Sequence, residues 1–272
     1  MKKRWIAVAL TLIMITQLFA GCGCSKKKEG LEKLGEYKGL QVYKSKAEVS
    51  DDTIQQYLDS AVKRHKTGDD TPELNDAFVQ EYFSYVGSTV QDLKDYYKKR
   101  IKMQQIIAEA WPKILQESVV SGYNNDELNS LETQMVDYYE SLYSEQYTTD
   151  LDSYLESVSK KRSDWNKNID ESAKDTLKAK MIVEAIAKKE GIEVSDEEYQ
   201  KQADILAKEN GYSDIEALEV SNNGKDNVKY NILAEKVYQL IVDNVKLIDD
   251  PATSEGATDA STAAEIATEP NS

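Results

Sequence analysis

The residue best suited to chemistry lies near the start of the chain. Cys22 follows Ala20 and Gly21, and an apolar run from Trp5 to Phe19 follows the basic start Lys2, Lys3 and Arg4. A basic head, a short apolar stretch and small residues before a cut point are what an export signal needs. The stretch is too short for a comfortable membrane span. Two small residues let a narrow peptidase site accept a cysteine that carries a diacylglyceryl group. Cys22 is therefore expected to be lipidated and to begin the mature chain. Phe19 departs from the usual Leu three positions before the cysteine. Cys24 is a weaker candidate, because Cys22-Gly23 fits the small-residue requirement less well. The competing reading is an ordinary signal peptide cut elsewhere.

The remaining inventory excludes more than it offers. Cys22 and Cys24 are the two cysteines and His65 is the one histidine. No disulfide framework, His/Cys zinc site or histidine-based triad can be assembled from them. No catalytic residue, metal site or cofactor is expected, and the chain reads as a non-enzyme. The formal charge is −15. The leader holds three cations and no acid, so the chain beyond it is three units more negative. Such a surface repels nucleic acid and anionic lipid. Lys26 to Lys28 form a short patch beside the anchor that would touch headgroups only weakly.

These features need elements to carry them, and the periodicity is helical. Residues 1–21 form the leader and 22–34 a flexible tether. Residues 35–71 form a linker segment. In it, alternation at Leu40 and Val42 predicts a short strand over Lys38–Lys44, with room for one strand pair near the N-terminus. Ser50 caps a helix bearing Ile54, Tyr57, Leu58, Ala61 and Val62 on one face. The break falls at Gly68–Pro72. The main helical domain occupies 72–248. Ser88 with Gln91 forms a capping box before a long helix, and Pro112 should kink or restart it. Residues 113–122 continue as helix. Leu128, Leu131, Met135, Tyr138 and Leu142 step by three and four, like a short coiled-coil seam. Asp150 caps a further helix. Leu177, Met181, Ile182, Ala185 and Ile186 mark another, which stops at Gly191. Ser195 with Glu198 forms a second capping box. Glu48-Val49-Ser50-Asp51-Asp52 echoes Glu193-Val194-Ser195-Asp196-Glu197, which shared capping chemistry explains without a repeat. Residues 249–272 contain no Lys, Arg or aromatic residue and read as a disordered acidic tail. The fold class is all-α and extended.

Several stretches then resemble the trigger factor family. Leu34-Gly35-Glu36-Tyr37-Lys38-Gly39-Leu40-Gln41-Val42 is similar to the segment leaving that family's ribosome-binding domain. Leu74-Asn75-Asp76-Ala77-Phe78, with Val90-Gln91-Asp92-Leu93-Lys94, resembles the start of its C-terminal chaperone domain. The stretch from Lys178 to Glu198 resembles its long helix, turn and next helix. The resemblance implies a helical chaperone domain with arms. A leader stands where the ribosome-docking domain would be. Only about ten residues lie between Val62 and Pro72, where an isomerase domain of the FK506-binding type needs on the order of a hundred. Neither ribosome binding nor prolyl isomerase activity is therefore expected.

The function implied is a holdase on the extracytoplasmic face of a bacterial membrane. Its partners would be unfolded exported polypeptides and, through the anchor, the membrane. Alternatives are a helical envelope protein with one fixed partner, or an isomerase-class foldase. The client surface is placed on Tyr138, Tyr139, Leu142, Tyr143, Tyr147, Leu151, Tyr154 and Leu155. Tyr139, Tyr143 and Tyr147 flank a seam already made by Leu131, Met135, Tyr138 and Leu142, which leaves an aromatic row over for clients. Plain internal packing is the competing use of the same residues.

Overall fold

The computed structural model describes residues 29–66, 71–147 and 149–251, the side chains of Gln146 and Tyr147 excepted. Cys22, the leader, the break at 67–70 and the tail from 252 lie outside the described residues. In chain order the elements are β1 (Gly30–Lys33), β2 (Gln41–Tyr43), a 3-10 turn, α1 (Asp51–Arg64), α2 (Asp76–Tyr82), α3 (Val90–Glu117), β3 (Val119–Gly122) and α4 (Asn125–Tyr147). They continue with α5 (Leu151–Ser157), α6 (Arg162–Glu190), α7 (Asp196–Glu209), α8 (Ile215–Ser221), α9 (Lys225–Asp243) and β4 (Lys246–Ile248). The fold is all-α apart from two sheets of two short strands among the described residues.

Capping chemistry sets most helix starts. Ser50 and Ser195 both sit in extended backbone and accept from the amide three residues on, so the sequence echo is two N-caps of one kind. The capping box before α3 is Thr89 with Asp92, one residue later than the Ser88–Gln91 reading. Thr89 accepts from the Asp92 amide and Asp92 accepts from the Thr89 amide. Gly191 closes α6 at φ 67, a left-handed backbone that favours glycine.

Three helices make the central core. Ile106, Ala110 and Ile114 of α3 pack with Ile182, Val183 and Ile186 of α6 and Ala234, Val237 and Ile241 of α9, all buried. Each of these Ile and Val side chains contributes roughly 1.5–3 kcal/mol by leaving water. That packing carries α3 through Pro112 without a break, although an internal proline costs about 3 kcal/mol. A second core joins α1, α2 and the first half of α3 through Leu58, Val79 and Leu93. A third joins α7, α8 and α9 through Tyr199, Ala203, Leu218 and Val228.

The strands correct several expectations. Val119–Gly122 is β3 rather than helix, and it pairs antiparallel with β1. The tether expected over 22–34 is therefore ordered from Gly30. β2 lies where alternation put a strand, but its partner is β4, in parallel, from the far end of the chain. The segment 35–71 is an integral part of the body: Tyr37 and Val42 join the central core and α1 the second. Gly35 passes so close to α3 that a Cβ there would meet the Ile114 carbonyl oxygen at 2.8 Å. Its amide donates to Ser118 Oγ at 2.9 Å. The acidic tail is also held where it begins, because Asp250 accepts from the Ser45 amide at 3.0 Å and Asp249 pairs with Lys44.

Candidate functional site

α4, α5 and α6 form a helical arm. α4 and the first half of α6 run antiparallel: Glu127 meets Lys180 at 2.6 Å at the root, and Glu140 meets Arg162 at 3.0 Å at the tip. Between these ties lie Leu131 and Met135 of α4 and Ile169, Ala173 and Leu177 of α6, with Leu128, Tyr139 and Trp165 flanking. This is a two-helix seam with little apolar depth. Beside it Glu132 and Asp170 interact. Lys174, 2.6 Å from Asp170, holds that carboxyl low, whereas burial and then Asp170 push Glu132 up.

The tip is built around Arg162. Its guanidinium donates to Glu140 at 3.0 Å, Asp152 at 2.9 Å and Asn166 at 3.2 Å, and lies over the Trp165 ring at 4.9 Å. Asp150 caps α5 by accepting from the Ser153 amide at 2.8 Å.

The structure divides the eight candidate residues. Leu151 and Leu155 are buried, at 1% and 3% exposure, and serve the packing of α5 rather than an open face. Tyr139 is half-buried, with its ring edge-on to Trp165 at 5.8 Å. Tyr143 and Tyr154 are also half-buried and stack at 4.3 Å, and Leu142 is half-buried. Tyr147 has no described side chain. Tyr138, which the spacing placed in the seam, is the exposed one at 48%. The reason is rotational. The seam proper is Leu128–Leu131–Met135–Tyr139, and its last step of four turns Tyr138 outward. Val158, whose spacing puts it on the apolar face of that helix with Leu151, Tyr154 and Leu155, is instead exposed at 42% just after α5.

A second polar cluster ties α3 to α7 and α9. Arg100 Nη1 of α3 donates to both Glu209 oxygens at 3.1 and 3.3 Å, and Glu235 of α9 lies 3.9 Å away. Burial pushes Glu209 up to about 7, Glu235 adds to the rise, and Arg64 opposes it. No group of His, Cys, Asp and Glu among the described residues is arranged to hold a metal ion. No described helix is long and apolar enough to cross a membrane.

The architecture is thus an all-α body bearing a projecting helical hairpin. Residues 128–243, from α4 to the end of α9, match the family model of the bacterial trigger factor protein C-terminus. The likeness to trigger factor drawn from the sequence therefore stands over the arm and the helices that follow it, through α9. Trigger factor of Halothermothrix orenii is 30% identical over 183 residues, covering 64% of this chain and 42% of its own. Trigger factor of Ureaplasma urealyticum is 26% identical over 223 residues, covering 78% of this chain and 46% of its own. The chain thus spans less than half the length of these relatives. Among solved structures, a trigger factor chaperone described for promiscuous substrate recognition in folding and assembly is 20% identical, covering 64% of this chain and 43% of its own, at a TM-score of 0.36. A hypothetical Mycoplasma protein is 12% identical, covering 81% and 89%, at a TM-score of 0.37.

Proposed function

We propose that this chain is a lipid-anchored extracytoplasmic chaperone that holds unfolded exported polypeptides without catalysing their folding. The observation that carries the chaperone reading is the trigger factor C-terminal match over the arm and the helices that follow it, through α9. The match begins in α4, where the arm leaves the body, and ends with α9. A shallow arm with half-buried aromatic rings can contact many sequences weakly, since no single shape is imposed. The anchor is proposed from Ala20-Gly21-Cys22 and the apolar run before it. The absence of isomerase activity is proposed from the short stretch between Val62 and Pro72. Ribosome binding is absent in this reading.

The test has two arms. Protein beginning at Ser25 suppresses aggregation of several unrelated unfolded proteins, with micromolar apparent affinity. It does not accelerate prolyl cis–trans exchange. Saturable nanomolar binding of one protein, with no protection of others, overturns the holdase reading in favour of a fixed partner. In cells, Cys22→Ala releases the chain from membranes or leaves it uncleaved. Unchanged fractionation and maturation overturn the anchor.

A further inference from the structure

One surface runs against the charge of the rest. From Tyr96 to Ala108 the chain carries four cations and no acid, inside a molecule of net charge −15. Arg100 of that group turns inward to Glu209. Lys98, Lys99 and Lys102 stay exposed on α3, and none has an ion-pair partner among the described residues. The nearest acid along the helix, Asp95, accepts from Gln91 Nε2 at 3.0 Å.

The position of the chain start gives this face a neighbour. Glu29 accepts from Asn124 at the arm root, and β1 pairs with β3, which directly follows α3. Six residues lie between Cys22 and Glu29, so a lipid on Cys22 keeps the bilayer within about 25 Å of that point. Along α3, Lys102 and Lys98 lie roughly 20–30 Å from its C-terminal end. Tether exit and lysine face are thus spaced along one rigid helix.

We propose that the Lys98–Lys99–Lys102 face of α3 docks on the anionic headgroups of the bilayer that anchors the chain, and so fixes the orientation of the molecule. This rests on lipidation at Cys22. The anchor supplies attachment, while the face orients a body that the same lipids otherwise repel. A lysine close to an anionic leaflet gains about fivefold in surface binding.

The test uses the full mature protein on vesicles of phosphatidylcholine, alone or with phosphatidylglycerol. Flotation reports attachment, and acetylation by a soluble amine reagent, read by mass spectrometry, reports the face. The expected result is flotation on both vesicles. On the anionic vesicles Lys98, Lys99 and Lys102 react about fivefold more slowly, while Lys160, Lys161 and Lys201 are unchanged. The slowing disappears at about 1 M salt, where the screening length is ~3 Å. Flotation on both with equal reactivity overturns the docking face and leaves the anchor standing. Flotation on anionic vesicles alone, with the three lysines protected, supports the face and overturns the anchor. Flotation on neither overturns both. Protection before any vesicle is added means that an acidic segment of this chain or a second copy covers the face, and the proposal falls. Equal slowing of the control lysines overturns it too.

Discussion

α6 belongs to two regions, and its halves differ in how they are held. From Ile182 to Ala187 it lies in the central core, where Ile182, Val183 and Ile186 are 0% exposed and packed by α3 and α9. From Arg162 to Leu177 it packs chiefly on α4, with α5 joined at its start through Asp152–Arg162, and five residues form the buried seam. There the polar ties Glu127–Lys180, Asp170–Lys174 and Glu140–Arg162 supplement a thin core. The more exposed of these, Asp170–Lys174 and Glu140–Arg162, contribute little each. A helix of continuous hydrogen bonding thus joins a rigid body to an arm of low apolar content. The difference shows how one helical period supports both a deeply packed scaffold and a thinly packed arm.

The comparison can be broken at the body first. Ile186→Ala removes fully buried atoms between three helices and should cost about 3–4 kcal/mol. Chemical denaturation should show it as a lower midpoint for the whole body. In the arm, Leu131→Ala should cost about 2–3 kcal/mol, because a two-helix seam relaxes around the gap. Hydrogen exchange should quicken in α4 and α5 far more than in α9. Equal quickening in α9 would mean that arm and body unfold as one unit.

Two pH dependences sharpen the contrast. Glu209 is raised from its ordinary value of 4.5 to about 7, chiefly by burial. Its folded form holds the proton more tightly than the unfolded chain, so stability falls as pH rises from 4.5 to about 7 and then levels. Glu209→Gln should flatten that slope and raise stability at pH 8 by on the order of 1–2 kcal/mol, after the loss of the Arg100 contact. Melting curves across pH check this. The smallest effect belongs to the arm tip. Ser153 holds Asp150 below its ordinary 3.8 through its amide and hydroxyl. A depressed carboxyl stabilises above its ordinary value, and the contribution is lost as pH falls through the folded value. Acid below pH 3.8 should fray α5 before the body changes, and Asp150→Asn should reduce that sensitivity. Amide exchange of Tyr154 and Leu155 reports it.

Where helices begin and end was legible in the sequence, because caps are local chemistry: Ser50, Asp150, Gly191 and Ser195 each act where the residue type places them. The strands were mostly not legible. β1, β3 and β4 have three or four residues and partners far away in sequence, so alternation has no length in which to appear. Pro112 misled because its local cost is offset by long-range packing, which composition does not carry. The candidate arm was found by its apolar period, but its outward face was rotated by one residue. Tyr138 and Tyr139 are equally aromatic, and only the position of Trp165 decides which ring is covered.

The central claim is that the arm tip holds unfolded chains. The direct measurement is light scattering of an aggregating test protein with the wild type and with the double variant Tyr138→Ser, Val158→Ser. Both residues are exposed, and surface substitutions usually shift stability by about 0.5 kcal/mol or less each. The account predicts unchanged helicity and melting, with severalfold more variant needed for half-suppression. Protection by the variant equal to that of wild type, at unchanged melting, would contradict it.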